Sequence, residues 1–221
     1  DLPQAALQRT FERYWEDFLR RRDDWAAFNS GKAPDTTRWN AYTPYEWRVV
    51  GALVRLGQRE RAHEVLEWFM QHQRPQPWNH WAEVVFRDPQ SAQFIGDMPH
   101  TWVGSDFIRS VLDMFAYEEE DMIIIAAGIA PSWLAESGDT LRVAGLHTPF
   151  GEIGYRVTGN ARGREVRFLF DQAPRAPTGG FVVRSPSDRP LRGARADGRA
   201  IPFTALQIGL AALPRELILV Y

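Results

Sequence analysis

Two short segments, Trp78-Asn79-His80-Trp81-Ala82-Glu83 and Gly96-Asp97-Met98-Pro99-His100-Thr101-Trp102, gather side chains that can do chemistry. They put carboxylates, two imidazoles and three indoles into about seven helical turns' worth of chain. Indole faces offer a rigid apolar platform for the C–H face of a pyranose ring, while carboxylates and imidazoles bind hydroxyls and move protons. That is the chemistry of a sugar site. The competing reading makes the Trp residues core and Glu83 a solvated or capping acid, and composition alone favours it.

Each candidate carries two readings. Glu83 lies in an aromatic, weakly charged stretch, where partial desolvation suits a carboxyl group to general acid–base work; isolated acids are more often structural. Asp97, before Met98-Pro99, can hold a hydroxyl or a water, or close an Asx-type turn. His100 can contact a ligand or bond a backbone carbonyl. Trp78, Trp81 and Trp102 can stack on sugars, whereas Trp15, Trp47 and Trp68 fit helix faces and read as core. His63-Glu64 lacks the second histidine of a zinc-binding His-Glu-x-x-His helix, because position 67 is Glu. Glycine-rich nucleotide loops are missing, and Ser105 lacks the glycines of a nucleophile elbow, so it reads as a helix cap. The sequence therefore predicts no metal and no cofactor.

The composition narrows the partners. A chain of 221 residues with 44% hydrophobic content can bury a real core, as one large domain or two small ones. A formal charge of −2, with no basic stripe, argues against nucleic acid. Of 26 basic residues only Lys32 is lysine, and the arginines are spread evenly, a habit of composition and not a binding patch. No cysteine is present, which removes disulfides and thiolate chemistry without choosing a compartment. The longest apolar run, Met122 to Ile129, is too short to span a membrane, and the first residues lack a signal-peptide pattern. The sequence starts at Asp1 without methionine, which fits a processed product or a piece of a longer protein.

The elements that must carry these residues fall into two compositional halves. All nine Trp lie at or before Trp133. There, Leu7, Phe11, Tyr14, Trp15, Phe18 and Leu19 predict a long amphipathic helix ending before Asn29-Ser30-Gly31, followed by a loop with Pro34. Thr43-Pro44 caps a helix that is apolar nearly all round through Leu56. Gly57 ends it, and Ala62, Val65, Leu66, Phe69 and Met70 make the second arm of a hairpin. A further helix carries Phe107, Ile108, Val111, Leu112 and Phe115. Beyond, Met122 to Ala126, Leu141 to Val143, Ile153 to Val157, Val166 to Phe170, Phe181 to Arg184 and Leu217 to Tyr221 have strand character, with turns at Gly159-Asn160, Thr178-Gly179-Gly180 and Asp197-Gly198. This predicts an α+β chain, with helical hairpins over 1–133 and an antiparallel β-sandwich over 134–221. The boundary is expected near Pro131 to Gly138, with the strand at Met122 a possible member of the β part.

From Tyr42 to Phe170 the order of motifs resembles the end of a bacterial six-hairpin glycosidase, the α-L-rhamnosidases and their relatives. In those proteins a Trp-Glu motif precedes an Asn-His-Tyr-type segment opening a helix, and a strand then leads to a Ser-Pro-Tyr-Gly-type turn. Trp81-Ala82-Glu83 resembles the first, with an inserted alanine, Pro99-His100-Thr101-Trp102 the second, and Thr148-Pro149-Phe150-Gly151 with Glu152 to Tyr155 the third. The segment Gly96 to Trp102 is also similar to one in uncharacterised bacterial six-hairpin proteins. The resemblance implies an (α/α)6 barrel followed by a β-sandwich, a glycan or glycoside substrate, and a periplasmic or extracellular location. It makes Glu83 a general base, Asp97 and His100 holders of sugar hydroxyls, and Trp81 and Trp102 walls of the subsite. A full barrel needs twelve helices, and four or five long ones are legible here. The chain is thus expected to be the C-terminal part of such an enzyme, inactive alone, completed by upstream sequence or another chain. The alternative expectation is a non-catalytic carbohydrate-binding or scaffolding protein, and a third a helical interaction module.

Overall fold

The computed structural model describes residues 3–32, 41–134, 140–160 and 163–221. The chain is α+β: helices come first, and strands dominate from Ala116 onward. The first helix, α1 (Gln4–Asn29), presents Phe18 and Trp25 inward, where both meet Trp68 edge-on at 6.2 and 5.8 Å. It runs through Asn29, one residue past the expected end, with Gly31 in the left-handed conformation at φ 70°. The loop expected around Pro34 lies outside the described residues.

A short strand β1 (Ala41–Tyr42) leads to the Thr43-Pro44 cap, where the Thr43 hydroxyl accepts from the Tyr45 N–H at 3.4 Å. A 3-10 turn, Pro44–Glu46, then runs into α2 (Trp47–Arg55), whose Trp47, Val50, Leu53 and Val54 are fully buried. Gly57 at φ 72° turns the chain into α3 (Arg59–Gln71), which buries Ala62, Val65, Trp68 and Phe69 and leaves Met70 exposed. Strand β2 (Val85–Phe86) pairs with β1, Tyr42 opposite Val85. The fourth helix, α4 (Thr101–Phe115), crosses α2 closely at Gly51, where an added Cβ would stand 3.0 Å from Asp113 and 3.2 Å from the Ser110 hydroxyl. Arg55 bonds Asp113 through two nitrogens, at 2.8 and 2.9 Å, and locks that crossing.

Ser105 is not the cap of α4. The helix begins four residues earlier, and the Ser105 hydroxyl donates back to the Trp102 carbonyl at 3.0 Å from inside the first turns. His100 takes the N-cap position because the chain leaves Pro99 extended, at φ −106° and ψ 108°, with the Gly104 N–H already bonded to its carbonyl.

The strands form two larger sheets. Strands β3 (Ala116–Glu119) and β4 (Met122–Ile125) form a hairpin; β5 (Thr140–Thr148), β6 (Gly151–Gly159) and β7 (Glu165–Gln172) form a meander. Then follow β8 (Phe181–Arg184), β9 (Gly193–Ala196), β10 (Arg199–Ala200), β11 (Gln207–Leu210) and β12 (Glu216–Val220). One sheet has the order β11-β8-β4-β3, with β4 and β8 parallel, and the other the order β10-β9-β12-β7-β6-β5, antiparallel throughout. The motif Thr148-Pro149-Phe150-Gly151 is the β5–β6 turn, closed by the Thr148 hydroxyl on the Gly151 carbonyl at 2.7 Å.

The run Met122-Ile123-Ile124-Ile125 shows how the layers meet. Ile123 and Ile125 join Phe168, Tyr155, Val183 and Leu217 in the core between the sheets, whereas Ile124 and Tyr117 join Trp47, Leu53 and Phe69 in the helical core. A strand covered on both faces is apolar at every position. The helices thus lie on one side of the four-stranded sheet and the six-stranded sheet on the other. The two larger sheets begin at Ala116, so a division at 133/134 cuts the β3–β4 hairpin away from β8, the strand that β4 pairs with. Of the expected boundary, Pro131–Leu134 is a 3-10 turn, and 135–139 lie outside the described residues.

Candidate functional site

The two motif segments pack as an irregular layer beside the α2–α4 pair, held by their backbones. The Glu83 N–H donates to the Asp97 carbonyl at 2.9 Å, and the His100 N–H to the Trp81 carbonyl at 2.8 Å. The Thr43 hydroxyl holds the Glu83 carbonyl at 2.8 Å. Gly96, at φ 58°, lets the second segment come this close, since an added Cβ would stand 2.6 Å from Val84 Cγ1.

This clamping brings Glu83, Asp97 and His100 together. One ligating atom from each lies within 4.8 Å of the others. Asp97 Oδ2 is 3.1 Å from His100 Nδ1, and His100 Nε2 meets the Tyr45 hydroxyl in a short hydrogen bond. A carboxylate only accepts, so Nδ1 carries the imidazole proton and Nε2 accepts from the phenol. Partial burial first, and then the Glu83 carboxylate, push the Tyr45 pKa above its usual value, in the direction that favours the protonated phenol. The Glu83 side chain is half-buried, Asp97 exposed, and His100 half-buried.

The three indoles part company. Trp102 is 71% exposed, with its ring 6.4 Å from His100 and 6.5 Å from Tyr45, so it borders the cluster with a free face. Trp81 is buried at 5% exposure against Trp47 and Phe107, at 4.9 and 5.3 Å. Its expected stacking role is therefore corrected: it is floor, not wall, and only its carbonyl reaches the site. Trp78 is exposed on the 3-10 turn Gln76–Trp78, with no ring contact to the cluster.

Three other histidines sit elsewhere. His63 bonds the Gly128 carbonyl at 2.8 Å, His72 stacks on Trp68 at 4.2 Å, and His147 faces Glu152 at 3.4 Å. Tyr45 is the residue that sequence reading missed. Its cue is weak, a place in the turn opened by Thr43-Pro44, fifty-five positions before His100. Close by, Arg48 lies over the Tyr45 ring at 5.3 Å and pairs with Asp106 at 2.6 Å. A groove of about 400 Å³ runs from there between α2 and α4 past Arg109 and Asp113; Glu83, Asp97 and His100 do not line it.

Chemically, the cluster is an acceptor-rich patch with one imidazole and one phenol beside an open indole face. It can hold hydroxyls, take a proton, or bind a cation. No known protein family, curated protein or solved structure matches the chain. Among the described residues, no helix is long and apolar enough to cross a membrane.

Proposed function

We propose that this chain is the C-terminal part of a six-hairpin glycoside hydrolase, and that Glu83, Asp97, His100 and Trp102 form part of its sugar site. The observation that carries the reading is the meeting of Glu83, Asp97 and His100 within 4.8 Å, on segments that also expose Trp102. In this reading the helices are an arc of an (α/α)6 toroid and the two sheets its β-sandwich. Ile108 and Leu112, 57% and 44% exposed on α4, offer an apolar stripe for a further hairpin. Glu83 is the base that draws a proton from water, Asp97 and His100 hold hydroxyls, and Trp102 stacks on the ring.

The spacing bears on the mechanism. An inverting pair of carboxyls stands roughly 6.5–9.5 Å apart to admit a water. Glu83 and Asp97 are closer than that, within 4.8 Å. An inverting reaction then needs an acid other than Asp97, which in this reading the rest of the parent protein supplies, and the chain alone is expected to turn over no glycoside. A retaining pair needs only about 5–5.5 Å. Robust turnover by the isolated chain, with retained anomeric configuration, would move Asp97 into the reacting pair and end the reading of the chain as a part.

The decisive experiment uses the intact parent protein. Glu83→Gln keeps size and hydrogen bonding and removes the base, so turnover should fall about a hundredfold with folding unchanged. Wild-type turnover in that variant removes Glu83 from the chemistry. The second reading, a non-catalytic carbohydrate-binding or scaffolding protein, is favoured by the spacing of Glu83 and Asp97, which stand too close for an inverting pair. It predicts sugar binding that Trp102→Ala abolishes, with no hydrolysis even in the parent.

A further inference from the structure

The geometry points to a divalent transition-metal site at Glu83, Asp97 and His100, with Tyr45 as its outer support. The sequence hides it: Glu83 lies on one irregular stretch and Asp97 and His100 on another, at spacings of no recognised metal motif, and only the fold brings the two stretches together.

The donor set fits a first-row divalent ion better than calcium or magnesium. Two carboxylate oxygens and one imidazole nitrogen suit manganese, iron or zinc, whereas calcium and magnesium choose oxygen alone. The distances also fit. In an octahedral ion with bonds of about 2.1 Å, neighbouring ligands stand about 3 Å apart and opposite ones about 4.2 Å. His100 Nδ1 and Asp97 Oδ2 are 3.1 Å apart, and the whole set spans no more than 4.8 Å. Closing that outer gap takes roughly half an ångström of side-chain rotation, which a half-buried glutamate can supply.

Three features make this a prepared site. First, the ligand-bearing segments are tied to each other by the Glu83-to-Asp97 and His100-to-Trp81 backbone bonds, so the ligands cannot drift apart independently. Second, His100 has its remote nitrogen engaged: metal-bound histidines are oriented by a partner on the other ring nitrogen, and the Tyr45 hydroxyl occupies that place. Metal binding at Nδ1 moves the imidazole proton to Nε2, which then donates to the Tyr45 oxygen; the ring stays neutral and no proton is left over. Third, two carboxylates this close repel one another, and no arginine or lysine is paired with either among the described residues. Arg48, over the Tyr45 ring at 5.3 Å, is committed to Asp106 at 2.6 Å. A dication answers that imbalance.

Three protein ligands leave open positions on the ion for water and for a ligand. Resting on the carbohydrate reading, those positions would take a vicinal pair of sugar hydroxyls beside Trp102, with Glu83 giving one carboxylate oxygen to the ion and keeping the other as the base. The metal site itself does not depend on that reading.

The test uses the full 221-residue chain stripped with chelator, titrated with Mn²⁺ by loss of the free-ion paramagnetic signal and with Zn²⁺ by competition with a chromophoric chelator. One ion should bind per chain. Glu83→Gln, Asp97→Asn and His100→Ala should each weaken it at least about tenfold, and Tyr45→Phe about tenfold or more, the usual cost of losing an outer-shell partner. Near-UV circular dichroism checks that each variant is folded; should one unfold, Tyr45→Phe, which touches no ligating atom, decides. Binding of neither ion below millimolar concentration, variants equal to wild type, or tighter binding of Ca²⁺ than of Mn²⁺ and Zn²⁺ would overturn the site. Methyl glycosides are titrated in parallel. Metal bound without sugar removes the carbohydrate reading alone, and sugar bound by a protein that takes no metal removes the metal alone.

Discussion

Trp81 and Trp102 show how far a side chain's type determines its work. Both stood as platforms by residue type, yet one is buried against Trp47 and Phe107 and the other is open beside His100. Trp81→Ala should cost about 3–5 kcal/mol in chemical unfolding, the scale for emptying an aromatic core position. Trp102→Ala should leave stability unchanged within about 0.5 kcal/mol and show its effect only in sugar titrations. Equal stability losses in the two would mean that the partition is wrong. The sequence could not separate them because residues 79–84 form neither helix nor strand, and without a period nothing says which side chain turns inward. Glu83, Asp97 and His100 were legible by chemistry, and their meeting was not, since it depends on cross-segment backbone bonds. His72 offers a pH test on the same scale. Desolvation holds its pKa below the usual 6.5, against the pull of its bond to the Trp68 carbonyl. The unfolded chain then takes the proton more readily, so stability is complete above about pH 6.5 and is lost as pH falls through the lower folded value. Denaturant midpoints measured from pH 7.5 to 5.5 should fall more steeply for wild type than for His72→Gln; parallel curves would dismiss the assignment.

Among the elements, the legible ones are those whose burial is one-sided or complete. The stripe in α1, the apolar run in α2 and the strand Met122–Ile125 all declare themselves, because each buries a whole face against a neighbour. Strands β9, with Gly-Ala-Arg-Ala, and β11, with Gln-Ile-Gly-Leu, offer little β-branched signal and exist through pairing with β12 and β8. The start of α4 was misplaced because Ser105 has the type of a cap, while the chain geometry left by Pro99 gives that position to His100. The loop before α4 is the element on which the site turns. Gly96 combines φ 58° with a neighbour that leaves no room for a Cβ. Gly96→Ala should cost about 1–3 kcal/mol, through strain and a forced shift of Val84. It should also separate Glu83 from Asp97, seen as weaker Mn²⁺ and sugar binding. A variant that binds both as wild type does would show that the loop can move without disturbing the cluster.

At the scale of the molecule, the two halves read from composition are joined by a shared sheet. Strand β4 gives Ile124 to the helices and Ile123 and Ile125 to the strands, and Phe115 and Trp133 pack against both cores. Arg59 on α3 adds a polar tie, donating to the Ser185 carbonyl at 2.8 Å and pairing with Asp188 after β8. Composition placed the seam near residue 134 because the tryptophans stop there, but tryptophan content follows the helical core and the sheet starts earlier, at Ala116. The consequence is a prediction about cutting the chain. A protein ending at Leu134 keeps every helix and the β3–β4 hairpin but loses β8, the parallel partner of Ile123 to Ile125, together with the six-stranded sheet that covers them. Each of those isoleucines is at most 2% exposed in the whole chain, and uncovering such a side chain forfeits about 1.5–3 kcal/mol. Losing two of them, and the Arg59 tie, consumes a large part of the roughly 5–15 kcal/mol that holds a domain folded. The bare edge of β4 would also offer unpaired backbone groups to other molecules. The truncated protein should therefore aggregate or bind a hydrophobic dye strongly, and the whole chain should unfold in a single transition followed alike by tryptophan fluorescence and far-UV circular dichroism. A soluble, cooperatively folding piece ending at 134 would show that the helices stand without the sheets.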